Sequence, residues 1–133
     1  MEERQAPGCR RMIVGTLAIT FAIMLCVVVA TLGIDGACVA DMGPRLPTYP
    51  NATVIREQHN FFRQLGMGES VTVLHSDDTV EVVRAWYSKT VGAIEYDDLQ
   101  KGAIRHLGNT SWKVNEEDNG KGSEIILAGD CAG

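Results

Sequence analysis

The chain has 133 residues, of which 45% are hydrophobic and 22% charged, with a formal net charge of -5 and a mean hydropathy of -0.01. These averages exclude collagen-like, low-complexity and disordered proteins, because large apolar residues recur through the second half of the chain. These averages also conceal a difference between two parts of the chain, because no Asp, Glu, Lys, Arg or His occurs between Arg11 and Asp35. We therefore consider each part separately.

The part of the chain after the uncharged segment is acidic. Residues 35–133 hold nine Lys and Arg against fifteen Asp and Glu, a net charge of -6. Nucleic-acid binders usually present a basic face to the phosphates, so we expect no nucleic-acid partner. The same balance argues against adsorption to an anionic lipid surface, which depends on clusters of Lys and Arg.

The uncharged segment predicts a transmembrane helix over Met12–Ile34. Its 23 residues would reach about 34 Å as a helix, enough to cross a hydrocarbon core of about 30 Å. The alternative is a cleaved secretory signal, for which Cys38–Ala40 is a weak cleavage site before Asp41. The segment is longer than the usual apolar region of such a signal, so we expect a retained anchor with the lipid bilayer as a partner.

The flanking charges predict the orientation of this anchor. Arg4, Arg10 and Arg11 precede the helix, whereas Asp35 and Asp41 follow it. Because basic residues favour the cytoplasmic side, residues 1–11 are expected to form a cytoplasmic tail. The sequence thus predicts a single-pass signal-anchor protein of the cell membrane, with its C-terminal domain outside the cytoplasm.

Small residues follow one face of the predicted helix. Such residues let helix backbones approach closely, which favours helix association in lipid. We therefore consider this face a candidate contact with other integral membrane subunits, although Ala is also common in any membrane helix. Its members are Gly15, Ala18, Ala22, Cys26 and Ala30.

The segment after the helix is rich in Gly and Pro, and two cysteines share its side of the membrane. We expect residues 35–50 to form an extended, polyproline-like stalk without regular secondary structure. A disulfide between Cys38 and Cys131 would tie the stalk to the end of the domain. The alternative is two free thiols, or thiols that serve a lipid or another chain.

Residues 51–133 are predicted to form a small α+β domain with two layers, an antiparallel sheet and one main packed helix. A capping box at Asp78 and apolar residues at helical spacing predict that helix up to Val91, with Gly92 as its stop. Alternating residues predict a strand over Ser70–His75. They also predict a hairpin that joins Thr110–Glu116 to Ser123–Ala128 through Asn119-Gly120.

Two stretches of this domain fit more than one element. Thr53–Leu65 fits a strand or a helix, and we favour a strand near its start because β-branched residues cluster there. Asp97–Leu107 fits a short capped helix, although Gly102 weakens that prediction.

Leu46–Ala52 has the sequence LPTYPNA and precedes an apolar strand, and Ser76–Asp78 opens a helix that carries Val82-Val83 and the aromatic pair Trp86-Tyr87. This order resembles a group of small bacterial extracytoplasmic domains, anchored by a helix or a lipid. Where that group has Gly, Pro and Phe, this chain has Asn51, Thr79 and Trp86. The resemblance implies a small α+β fold outside the membrane and no established catalytic activity, so it supplies no site residues.

The sequence contains no motif that predicts a metal, a cofactor or a catalytic residue. His59, His75 and His106 lack the spacing of metal sites. Asn115–Ile126 partly matches a calcium loop, but Ile126 occupies the position where a bidentate Glu is required. We therefore expect a non-enzymatic accessory or structural subunit of a larger bacterial membrane complex. The alternative is a free-standing envelope domain that binds a small ligand or a cell-wall component on the sheet face opposite the helix.

Overall fold

The computed structural model describes residues 7–63, 66–102, 106–117 and 120–131. The chain divides into two compact units, Met1–Ile34 (the helix unit) and Asp35–Gly133 (the sheet unit). The elements in chain order are α1 (Pro7–Met42), β1 (Thr53–Arg63), β2 (Gly66–Ser76), α2 (Val80–Gln100), β3 (Asn109–Glu116) and β4 (Ser123–Asp130). This order and the antiparallel sheet confirm the α+β class.

The helix unit presents its apolar side chains outward. Side chains from Met12 to Ala30 are all exposed. Among the described residues, one helix is long and apolar enough to cross a membrane, and this candidate span covers Met12–Arg45. The hydroxyl of Thr16 donates to the carbonyl of Met12, and that of Thr20 to the carbonyl of Thr16, at 3.0 and 2.8 Å. These polar groups are therefore satisfied within the helix, as a hydrocarbon environment requires.

The end of α1 differs from the predicted stalk. The prediction that residues 35–50 lack regular structure is wrong for the first eleven of them, because α1 continues to Met42 and a 3-10 helix follows at Gly43–Arg45. Asp35, Cys38 and Met42 lie on one face of the helix and are buried in the sheet unit. Burial of this face stabilises a helix that Gly33 and Gly36 alone would weaken by about 1 kcal/mol each.

The sheet has four antiparallel strands in the order β1-β2-β4-β3. The predicted strands at Thr53–Leu65 and Ser70–His75 and the C-terminal hairpin are confirmed, apart from residues 64–65 and 118–119, which lie outside the described residues. A β-bulge between Val54 and Arg56 makes Ile55 the extra residue of β1.

Helix α2 begins and ends later than the sequence predicts. Its N-cap is Thr79, with no side-chain capping hydrogen bond, so the prediction of a capping box at Asp78 is wrong. It also continues through Gly92 to Gln100, so the predicted stop is wrong and residues 97–100 belong to α2 and not to a separate helix. Residues 103–105 of the helix predicted over Asp97–Leu107 lie outside the described residues. Gly92 has open space around it, and Val91 and Ile94 extend the inner apolar side past it, so the helix has no reason to end there.

The core of the sheet unit lies between α2 and one face of the sheet. Tyr87 of α2 is fully buried, and its ring stacks on Trp112 of β3 with a centroid separation of 5.4 Å. Tyr49 packs against Trp86 edge to face, with the centroids 5.2 Å apart, and thereby joins the segment before β1 to this core. The other buried members are Leu74, Val83, Val91, Val114, Ile125 and Leu127.

Candidate functional site

The last turns of α1, Asp35–Met42, are fixed to the sheet by covalent and polar contacts. The structure joins Cys38 to Cys131 in a disulfide that spans 93 positions of sequence, with the Cα atoms 5.9 Å apart. The N–H of Cys131 donates to the carbonyl of Gly68 on β2 at 3.0 Å. The disulfide therefore attaches the end of α1 to the sheet next to both β2 and the end of β4.

A chain of hydrogen bonds links Asp35 to β1 and β2. The imidazole of His59 lies with Nε2 3.0 Å from Asp35 Oδ2 and with Nδ1 2.6 Å from the hydroxyl of Ser70. Asp35 is buried, and its Oδ1 has no hydrogen-bond partner among the described residues. Sequence reasoning missed this cluster, because no spacing rule relates residues that are 11 and 24 positions apart.

The order of Ser70, His59 and Asp35 matches that of a nucleophile, a base and an orienting acid. Ser70, however, lies within the sheet, where it is paired with His59 on one side and Gly129 on the other. Its backbone is part of the sheet ladder, which leaves it unsuited to bind a developing oxyanion. The contacts are better suited to holding Asp35, at the end of α1, against the sheet.

A second set of polar contacts fixes the segment that follows α1. Asp41 Oδ2 accepts hydrogen bonds from the N–H of Leu107 and from Arg45, at 3.0 and 2.9 Å. Arg45 also donates to the carbonyl of Gly108 at 2.6 Å. These bonds join the end of α1 to the segment before β3.

A small cleft opens between this segment and the sheet, with a volume of about 210 Å³. Met42 and Leu46 give it apolar walls, and Ser70 and Thr72 contribute hydroxyl groups. The cleft lies on the same side of the sheet as the end of α1, whereas the sequence placed a ligand on the face opposite α2.

Helix α2 has a second apolar side that points away from the sheet. Tyr96 and Leu99 are 66% and 75% exposed, far above the buried Val83, Tyr87 and Val91 on the inner side. Surface helices usually carry polar residues on the outer side, so this distribution is unusual. What we call the outer side of α2 consists of these exposed apolar residues together with one exposed charge, Lys89, which lies among them. Its apolar members are Val82, Ala85, Gly92, Ala93, Tyr96 and Leu99.

The structure places the predicted helix-packing residues in one exposed stretch of α1. Ala18, Ala22 and Ala30 are exposed, Gly15 has open space around it, and Cys26 is an exposed free thiol. Contact with another subunit at these residues stays a prediction.

The other two histidines lie among acidic side chains. His75 Nδ1 is 2.5 Å from Glu117 Oε1, and this hydrogen bond raises the pKa of His75 above its ordinary value. His106 lies 3.8 Å from both Asp41 and Asp98. Over the residues that the structure describes, no group of three or more His, Cys, Asp or Glu side chains is arranged to hold a metal ion.

Comparison with family models, with curated proteins and with solved structures finds no match to this chain. The resemblance to small extracytoplasmic domains therefore stays an expectation from the sequence.

Proposed function

We propose that the chain is a non-enzymatic, single-pass membrane protein that serves as an accessory or structural subunit of a larger bacterial membrane protein complex. In this proposal residues 12–34 cross the bilayer and residues 1–11 lie in the cytoplasm. The sheet unit lies outside the cytoplasm, in keeping with the acidic residues that follow the apolar segment. The sheet unit begins at Asp35, directly after that segment, so it would act at the membrane surface.

The outer side of α2 is the observation that carries this proposal. Contiguous exposed apolar surface is uncommon on soluble single domains and marks contacts with other proteins. Tyr96 and Leu99 supply large side chains on this side. Gly92 and Ala93 leave a shallow surface for a partner to approach, and Lys89 supplies one charge beside it. We propose that a protein partner covers this side in the assembled complex.

Gentle detergent extraction of the full chain tests the proposal. The wild type is expected to co-migrate with larger integral proteins, and Tyr96→Glu with Leu99→Glu is expected to abolish this co-migration. A matched control places two glutamates at exposed polar positions of β3, Ser111→Glu and Lys113→Glu, and should leave it intact. Migration of the wild type as a single chain would contradict the proposal.

The small-residue side of α1 provides an independent test of contacts within the bilayer. Substitution of Ala18, Ala22 and Ala30 by Leu would separate closely packed helices and is expected to weaken the assembly. Substitution of Met24 and Val28 by Leu changes the opposite side of the same helix and leaves the small-residue side as it is. Equal behaviour of the two sets would show that the small residues make no specific contact.

The alternative function is that of a free-standing, membrane-anchored envelope domain that binds a small ligand or a cell-wall component. The cleft beside Ser70 favours this alternative, because it combines apolar walls with hydroxyl groups. Under this alternative, neither the α2 variant nor the α1 variant changes the size of the extracted particle.

A further inference from the structure

Strand β1 forms a long, exposed edge of the sheet. It has 11 residues and pairs with β2 alone among the described strands. Its residues from Thr53 to Phe61 are all exposed, and these include Val54 and Ile55 at 58% and Phe61 at 40%. An exposed strand with apolar side chains and outward backbone groups is a template for pairing with another strand.

The opposite edge of the sheet is β3, which is shorter than β1 and is contacted by a side chain of α2. β3 has eight residues, and the guanidinium of Arg84 on α2 donates to the carbonyl of Val114 at 3.2 Å. One backbone acceptor of β3 is thereby contacted from within the chain. A sheet that grows through one edge closes as a two-fold dimer, whereas growth through both edges would give an open fibre.

We infer that β1 pairs with β1 of a second copy of this chain, antiparallel and centred on Gln58, so that two sheets join into one of eight strands. The two-fold axis then joins the α2 face of one sheet to the α2 face of the other. A residue that precedes Gln58 by a given number of positions lies opposite the residue that follows Gln58 by the same number in the second copy. Glu57 meets His59 of the second copy, and Arg56 meets Asn60 of the second copy. Each of these pairs occurs twice, and no like charges face each other.

The apolar side chains and the regular part of β1 also favour strand pairing that is centred on Gln58. Centring on Gln58 brings Ile55 towards Phe61 of the second copy, so two exposed apolar side chains cover each other. Pairing centred on Arg56 or on Glu57 would instead place that charged residue opposite the same residue of the second copy. The bulge lies at one end of β1, and the pairing from Arg56 to Asn60 is regular, so this stretch is straight enough to accept a second strand.

Cross-linking of the full chain in membranes tests the pairing. In a background with Cys9→Ser and Cys26→Ser, Gln58→Cys is expected to form a disulfide-linked dimer. Residues that face each other across antiparallel strands have their Cβ atoms about 4.5–5.5 Å apart. The control Ser111→Cys, exposed on β3, should stay monomeric. Absence of a linked dimer at Gln58→Cys, or equal linking at both positions, would overturn the inference.

A new charge at the proposed interface, followed by a compensating charge, provides a second test that does not depend on a new thiol. Asn60→Arg places an arginine opposite Arg56 of the second copy, twice, and should raise the dimer dissociation constant about 2- to 30-fold. The new arginine neighbours Glu69 within its own sheet, so the fold should tolerate it. Adding Arg56→Glu should restore the dimer, as measured by sedimentation in detergent. An unchanged dissociation constant in Asn60→Arg, or no recovery in the double variant, would overturn the pairing.

Discussion

Asp35 and His59 form the polar contact between the end of α1 and the edge strand β1, with His59 Nε2 3.0 Å from Asp35 Oδ2. The Asp35 side chain is 7% exposed and that of His59 is 30% exposed. Loss of the imidazole would leave a buried carboxylate with neither oxygen bound by a described side chain. Such a group costs more than the hydrogen bond itself contributes.

His59→Ala is therefore expected to lower the free energy of unfolding by about 1–3 kcal/mol. Adding Asp35→Ala removes the stranded carboxylate, so the double variant should be more stable than His59→Ala alone. Urea unfolding of the full chain, followed by the fluorescence of Trp86 and Trp112, measures both effects. Strictly additive losses would show that the two side chains do not interact.

Gly68 makes room for the Asp35 carboxylate. Its φ is +34°, and a Cβ at this position would overlap Asp35 Oδ1. Gly68→Ala should destabilise the sheet unit by about 2–4 kcal/mol, because overlap and backbone strain add. Asp35→Ala in the same chain should recover part of this loss.

Gly92 supplies the matched control for this substitution. It lies within α2 with open space around it, so Gly92→Ala should stabilise the helix by up to about 1 kcal/mol. Equal effects of the two alanine substitutions would contradict the proposed overlap at Gly68.

The disulfide between Cys38 and Cys131 should contribute strongly to stability. It closes a loop of 93 positions, and a loop of about 100 residues gives roughly 4.7 kcal/mol in the chain-entropy treatment. We expect Cys38→Ser to lower the free energy of unfolding by about 3–5 kcal/mol, and a reducing agent to have the same effect on the wild type. Cys26→Ser should leave stability unchanged, because Cys26 is exposed and unpaired. A wild type that is insensitive to reduction would contradict this prediction.

Local patterns were sufficient to predict much of the sheet. Trp112 and Val114 alternate on β3, and Ile125 and Leu127 alternate on β4, because each strand buries one face against α2. This alternation is a property of neighbouring residues and can be read without the rest of the fold.

Contacts between distant residues explain what the sequence did not predict. α1 continues past Ile34 because Cys38 and Met42 are buried against parts of the chain far away in sequence. Asp78 resembled a helix cap, but its carboxylate accepts a hydrogen bond from Tyr49, 29 positions earlier. The periodicity of neighbouring residues does not reveal contacts between residues that are distant in sequence. The polar contacts of the sheet unit were therefore not predicted.

The two core tyrosines are expected to respond oppositely to loss of their hydroxyl groups. Tyr49 donates to Asp78 Oδ2 at 2.7 Å, and this bond raises the pKa of Tyr49. Burial raises the pKa of Tyr87 to about 12, and the nearby backbone of Tyr49 opposes this shift. The Tyr87 hydroxyl makes no hydrogen bond of ordinary geometry with the described residues. Tyr49→Phe should therefore destabilise the sheet unit by about 1–2 kcal/mol, whereas Tyr87→Phe should be neutral or stabilise it by about 1 kcal/mol. Equal losses in urea unfolding would show that Tyr87 has an unseen partner.

His75 should make the stability of the sheet unit depend on pH. Its pKa is raised above 6.5 chiefly by the hydrogen bond to Glu117, with a smaller contribution from Asp77, while partial burial opposes the shift. Because the folded state binds this proton more tightly than the unfolded state, the stabilisation is complete below pH 6.5. It is lost as the pH rises through the raised pKa.

The free energy of unfolding should therefore fall between neutral and mildly alkaline pH in the wild type, and less steeply in His75→Gln. Glu117→Gln removes the main cause of the shift, so it should move the imidazole titration of His75, followed by NMR, back towards its ordinary value. A titration of the wild type at or below pH 6.5, or the same pH slope in wild type and His75→Gln, would contradict the coupling between these two side chains.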